Sequence, residues 1–142
     1  MPTEAEWEFA AQAGSEGLWH WGDDPKSGPN YAHAVHDGTV PAGPLPVASL
    51  EPNALGLYDM HGNVAEWTAG TYHDLYDLPD APVVDPRAGA PGDPLFDPER
   101  KCRRMIRGGS YQRWLIDTRS ARRQEVPTSL PGLFWPYDDE YY

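Results

Sequence analysis

A chain of 142 residues with 39% hydrophobic content, six Trp and eight Tyr can bury one core, which excludes both a disordered polypeptide and a pair of domains. No stretch of about 18 apolar residues occurs, and Met1-Pro2-Thr3 opens no basic-then-apolar leader, so neither a membrane span nor a signal peptide is visible and the compartment stays undefined. The chain reads as that of a soluble protein, and its single Cys102 excludes an intrachain disulfide framework.

Net charge is −11, yet nine of the eleven Lys and Arg fall between Arg100 and Arg123, where Asp117 is the only acid. That asymmetry predicts a basic strand region paired with acidic loops; an anion-binding groove built on the arginines is the sharper alternative. Nucleic acid is not expected as a partner, because the overall field repels a polyanion.

Thr3 and Glu6 have the spacing of a capping box, so a short helix is expected over Thr3 to Ala13. Trp7, Ala10 and Ala11 form its buried stripe, with Phe9 as a further candidate, and Gly14 suits the left-handed stop. From Ser15 to Pro46 the Gly, Pro, Asp and Asn punctuation predicts loop around an anchored aromatic pair in Trp19-His20-Trp21-Gly22. Val47 to Leu50 is a short strand candidate. Residues 52 to 67 mix turn formers with irregularly spaced apolar residues, which predicts a wound loop leading into a short strand. Thr71 to Glu99, with Asp85-Pro86, Asp93-Pro94 and Asp97-Pro98, is expected to be an exposed insertion. Met105 to Tyr111 and Thr118 to Arg122 are the late strand candidates. Sixteen Pro and 14 Gly make the whole expectation irregular and loop-rich.

Five ordered blocks then resemble the formylglycine-generating-enzyme (sulfatase-modifying factor) family: Pro2-Thr3-Glu4-Ala5-Glu6-Trp7-Glu8, Trp21-Gly22, the run from Gly56 to Trp67, Arg107-Gly108-Gly109-Ser110-Tyr111, and Arg119-Ser120-Ala121. The resemblance implies an α+β, C-type-lectin-like fold poor in regular structure, as one partial domain over residues 1–142. It also implies truncation at both ends, since the family has a lead-in before the first block and closes on a Gly-Phe-Arg strand, neither of which is present.

Members of that family oxidise a sulfatase cysteine with oxygen and a copper ion held by two thiolates, ligands that soft Cu(I) favours. The interval that carries those thiols in the family reads Gln112-Arg113-Trp114-Leu115-Ile116-Asp117 here, so copper is not expected. Structural Ca²⁺ is the metal the resemblance does imply. Asp59 and Glu66 match the acidic positions, with main-chain oxygens at Gly62 and Val64, and Ca²⁺ takes hard oxygens on a tightly curved loop.

Arg107, Gln112, Arg113, Trp114 and Arg119 are the candidate ligand-binding residues. Trp114, Leu115 and Ile116 are unusually apolar for a loop, which favours a partner surface or a buried segment. Two function classes follow. One is a noncatalytic or accessory module binding a peptide, protein or glycan. The other is an oxygen-dependent enzyme of the sulfatase-modifying or nonheme-iron superfamily whose catalytic residues lie outside this chain.

Overall fold

The computed structural model describes residues 1–69 and 103–127. Within them one α-helix lies against a small antiparallel sheet, an α+β arrangement in which loops carry most of the chain. Helix α1 spans Glu4–Gln12. Both halves of its capping box form: Thr3 Oγ1 accepts from the Glu6 N–H, and the Glu6 carboxylate accepts from the Thr3 N–H at 2.8 Å. Two orphan N–H groups are thereby satisfied, as the sequence spacing predicts. The left-handed stop comes one residue earlier than expected, at Ala13, with Gly14 also at positive φ. Trp7 and Ala11 are buried as expected and Ala10 packs beside them, whereas Phe9 is 71% exposed.

Strand β1 is Glu66–Trp67, β2 is Arg103–Arg107 and β3 is Gln124–Pro127, in sheet order β1-β2-β3. Glu66 lies opposite Arg107 and Met105 opposite Glu125. The wound loop leading into a short strand is thus present at the expected place. Strand β2 stops at Arg107, short of Tyr111, because Gly108 and Gly109 both take positive φ and turn the chain out of the sheet.

Two expected strands are corrected. Val47 to Leu50 is irregular: Ala48 sits at φ 60, and its N–H is taken by the Asp59 carboxylate rather than by a strand partner. Thr118 to Arg122 is replaced by a 3-10 turn over Leu115–Thr118 and a tight turn closed by the Arg122 N–H on the Arg119 carbonyl. The strand begins only at Gln124. The expected insertion at residues 71–99 lies outside the described residues. No described helix is long and apolar enough to cross a membrane.

Two apolar clusters make the core. Trp7, Ala11 and Met60 fill the space between α1 and the loop before β1, and Trp19, Ala32, Ala34 and Leu115 form the second, with Trp21 against it. Basic residues pair with acids as the charge asymmetry predicts, but the acids come largely from the helix: Arg107 with Glu8 and Glu4, and Arg123 with Glu4.

Thr3→Ala should remove the N-cap acceptor and cost about 1 kcal/mol, read as a fall in denaturant midpoint at unchanged m. Thr3→Ser should keep most of the stability.

Candidate functional site

The loop from Asp59 to Glu66 owes its shape to three left-handed residues, Asp59, Gly62 and Asn63, at φ 58, 89 and 56. Gly62 is obligatory there: a Cβ would fall 2.3 Å from the His33 carbonyl oxygen. That close approach lets the Asn63 N–H reach the His33 carbonyl at 2.8 Å and the Gly62 N–H reach Gly108 at 2.7 Å.

Asn63 is the clasp of the site. Its buried side chain accepts from the Leu45 N–H at 3.0 Å and donates to the Leu45 carbonyl at 3.2 Å, while its carbonyl accepts from the Tyr111 N–H. Segments around 33, 45, 63 and 111 are thereby fixed to one another.

Of the residues expected to hold Ca²⁺, Asp59 gives Oδ2 to the Ala48 N–H at 2.8 Å and faces Asn63 Nδ2 with Oδ1 at 3.5 Å. Glu66 gives Oε2 to the Trp7 indole N–H at 2.7 Å. The two carboxylates thus serve different neighbours. Among the described residues no three His, Cys, Asp or Glu side chains gather as a metal cluster. The donors are nonetheless of the type Ca²⁺ takes, and Glu66 is exposed, with its hydrogen bond confined to one carboxylate oxygen.

Arg107 is placed differently from the other ligand-binding candidates. It is 1% exposed, its Nη2 donates to Glu8 and to the Ser120 carbonyl, and its guanidinium stands 5.2 Å over the Trp7 ring. The remaining candidates lie together on the segment 110–119. Its ends meet because Gly109 has no side chain: a Cβ there would come 3.0 Å from Thr118 Cγ2. Val35 pairs with it through the Arg113 carbonyl and the Leu115 N–H. Leu115 and Thr118 point inward, whereas Gln112, Trp114 and Ile116 are exposed. Arg113 and Arg119 are half-buried, and among the described residues neither has a carboxylate in salt-bridge range; Arg122 takes Asp117.

The sequence reading assigned no role to His61, a residue set beside Gly62 in the loop. Its Nδ1 donates to the Thr118 carbonyl at 2.7 Å, which fixes the tautomer, and its buried Nε2 makes no well-formed hydrogen bond among the described residues, the Ala11 backbone being only a weak neighbour. His20 stacks on it with centroids 5.2 Å apart, and Trp21 meets it edge-on. Trp21 also stacks between Trp19 and Tyr31, each at 5.3 Å, so the expected aromatic anchor is a layered one. Desolvation by burial lowers the His61 pKa from 6.5 to about 4; the Thr118 carbonyl opposes the shift and the His20 charge adds to it. His33 and His36 do not form a pair: His33 bonds the Gly43 carbonyl and stacks on Tyr111, and His36 bonds Ala32.

A family model described as the sulfatase-modifying factor enzyme 1-like domain matches residues 1–132. A formylglycine-generating enzyme of Streptomyces coelicolor is 34% identical, over 93% of this chain and 43% of that protein. An inactive C-alpha-formylglycine-generating enzyme 2 of Mus musculus is 42% identical, over 51% of this chain and 26% of that protein. Among solved structures, PvdO from Pseudomonas aeruginosa superposes with a TM-score of 0.68 at 32% identity, over 91% of this chain and 47% of that one. The chain spans less than half the length of each.

Because the folded His61 pKa lies below its unfolded value, the unfolded chain binds the extra proton between pH 6.5 and 4. Stability from this group is complete above pH 6.5 and is lost as pH falls towards 4, by at most about 3 kcal/mol. Chemical denaturation of the wild type and of His61→Gln across that window should show a flatter pH profile in the variant. Gly62→Ala should cost well over 1 kcal/mol, from a strained φ and the clash with His33, and should lower the melting temperature by several degrees.

Proposed function

Because this chain belongs to the sulfatase-modifying factor enzyme 1-like family, we propose that it is a noncatalytic, calcium-stabilised member that binds a peptide, protein or glycan through the segment 110–119. The observation that carries this reading is the make-up of that segment. It holds no thiol, the whole chain has only Cys102, and Trp114 and Ile116 are each 45% exposed. A two-thiolate copper centre needs two cysteines, whereas an exposed Trp beside arginines is the composition of a contact surface. The inactive mouse relative, which shares 42% identity over about half of this chain, supports a family member without the oxidase chemistry. A C-type-lectin-like arrangement belongs to the same reading, since one helix and a small sheet here carry long loops that form the outer face.

Calcium would be held by Asp59 and Glu66 with the main-chain oxygens of Gly62 and Val64. Its contribution is stabilising: a divalent ion neutralises two carboxylates that project from one strained loop. The Trp7 indole and the Ala48 N–H each engage one carboxylate oxygen, which leaves Glu66 Oε1 and, beyond its long 3.5 Å contact with Asn63 Nδ2, Asp59 Oδ1 to face the ion.

An oxygen-dependent enzyme is the second reading, favoured by 34% identity to the Streptomyces enzyme over a chain that covers 43% of it. Its catalytic groups would then lie outside this chain.

Titration of chelator-stripped protein with Ca²⁺ tests the metal. At about 100 times Kd, binding to the native state alone should add about 2.7 kcal/mol and raise the melting temperature by several degrees. Glu66→Gln keeps an oxygen for the Trp7 indole but should lose most of that calcium-dependent rise. An equal rise in the variant, or none in the wild type, rejects the assignment. Oxygen uptake dependent on a cysteine-containing peptide would replace the noncatalytic reading with the second one.

A further inference from the structure

The segment 110–119 carries cations that have no acid partner among the described residues, in a strongly acidic chain. Formal net charge is −11, and Arg107, Arg122 and Arg123 each have a carboxylate within 4.0 Å, yet Arg113 and Arg119 have none among the described residues. Both are half-buried, and long side chains of this kind pack their stems more readily than their charged heads.

Geometry puts an apolar surface beside them. In a 3-10 turn, side chains three residues apart eclipse. Leu115 and Thr118 therefore share the inward face, where both are buried, while Ile116 is exposed on the outward one and Arg119 follows as the residue that ends the turn. Trp114 caps the start of the turn, next to Arg113. The result is an exposed strip in which a cation stands at each end of two large apolar side chains.

We propose that this strip docks an acidic peptide segment, whose carboxylates meet Arg113 and Arg119 and whose apolar side chains lie on Trp114 and Ile116. The inference rests on the binding-face reading above and adds the chemistry of the partner. Local charge complementarity supplies the argument: Arg113 and Arg119 have no acid partner among the described residues, and at physiological salt a short segment meets these near charges more than the distant negative field that opposes a long polyanion. A guanidinium takes a carboxylate with two parallel hydrogen bonds, and Trp and Arg are the residues that dominate contact surfaces. A basic partner would meet two unscreened like charges. A purely apolar one would desolvate two cations without replacing their water.

The test is fluorescence anisotropy of the protein with a labelled heptapeptide alternating aspartate with leucine, run beside versions with asparagine or lysine in place of aspartate. The aspartate peptide should bind about tenfold more tightly than the asparagine one and weaken as salt rises. Arg113→Gln and Arg119→Gln should each weaken it about threefold, and together about tenfold, at unchanged melting temperature. If the asparagine or lysine peptide binds as tightly, with Trp114→Ala abolishing it, the binding face stands and the acidic assignment falls. If none of the three binds, the binding-face reading falls as well. A concentration-dependent dimer in sedimentation that dissociates in the double arginine variant would give the face to a second copy and overturn the proposal.

Discussion

Burial of the Arg107 guanidinium constrains more of this fold than any apolar contact does. An unpaired cation with 1% exposure would cost several kcal/mol, so every element around it has to deliver something. Helix α1 delivers Glu8 as a hydrogen-bonded partner of Nη2 and Glu4 as a longer ion pair, 3.8 Å from Nη1; the turn after Thr118 delivers the Ser120 carbonyl, and Trp7 lies beneath as a π surface. Rotate the helix by a quarter turn, or slip β2 by one residue, and the charge loses its partners. Described strands of two, five and four residues leave little sheet to define the register. One buried charge with a fixed set of acceptors does that work instead.

Further along the same segment the constraint passes from charge to space. Gly109 follows Arg107 by two residues and brings Thr118 into contact, which closes the segment 110–119 into a loop whose ends touch. Asn63 then holds that loop through Tyr111, and His61 holds its far end through the Thr118 carbonyl. The candidate site is therefore clamped from beneath at both ends by groups that contact no solvent. Gln112, Trp114 and Ile116, by contrast, are exposed on its outward side.

This division explains what could be read from the residues alone. The capping box is legible because both partners lie within three residues of one another, and the irregular character is legible from Pro and Gly content. The blocks from which the candidate residues are drawn are also legible, since each is short and contiguous. What each one touches is not. Thr118 to Arg122 looks like a strand, but Thr118 accepts from the Trp19 indole, 99 residues away in sequence, and bonds back to Leu115; that long-range demand selects the 3-10 turn. Val47 to Leu50 looks apolar enough for a strand until Asp59, 11 residues on, takes the Ala48 N–H. Arg107 and Arg119 look alike as arginines beside small residues, yet one is the buried pivot and the other has no acid partner among the described residues. His61 carried no sign of its burial, because a lone His next to Gly is compatible with any loop.

Membership of a family whose relatives include both an enzyme and an inactive form is easier to understand on this basis. The interactions that hold the fold (Arg107 with the helix, Gly62 against His33, Asn63 with Leu45) are separate residues from the outward positions 112, 114 and 116. Changing the latter replaces surface groups, each worth a few tenths of a kcal/mol to stability, while changing the former leaves a buried charge or a backbone clash worth several. Chemistry can therefore be removed from the loop, or a binding surface written there, without altering the scaffold beneath it.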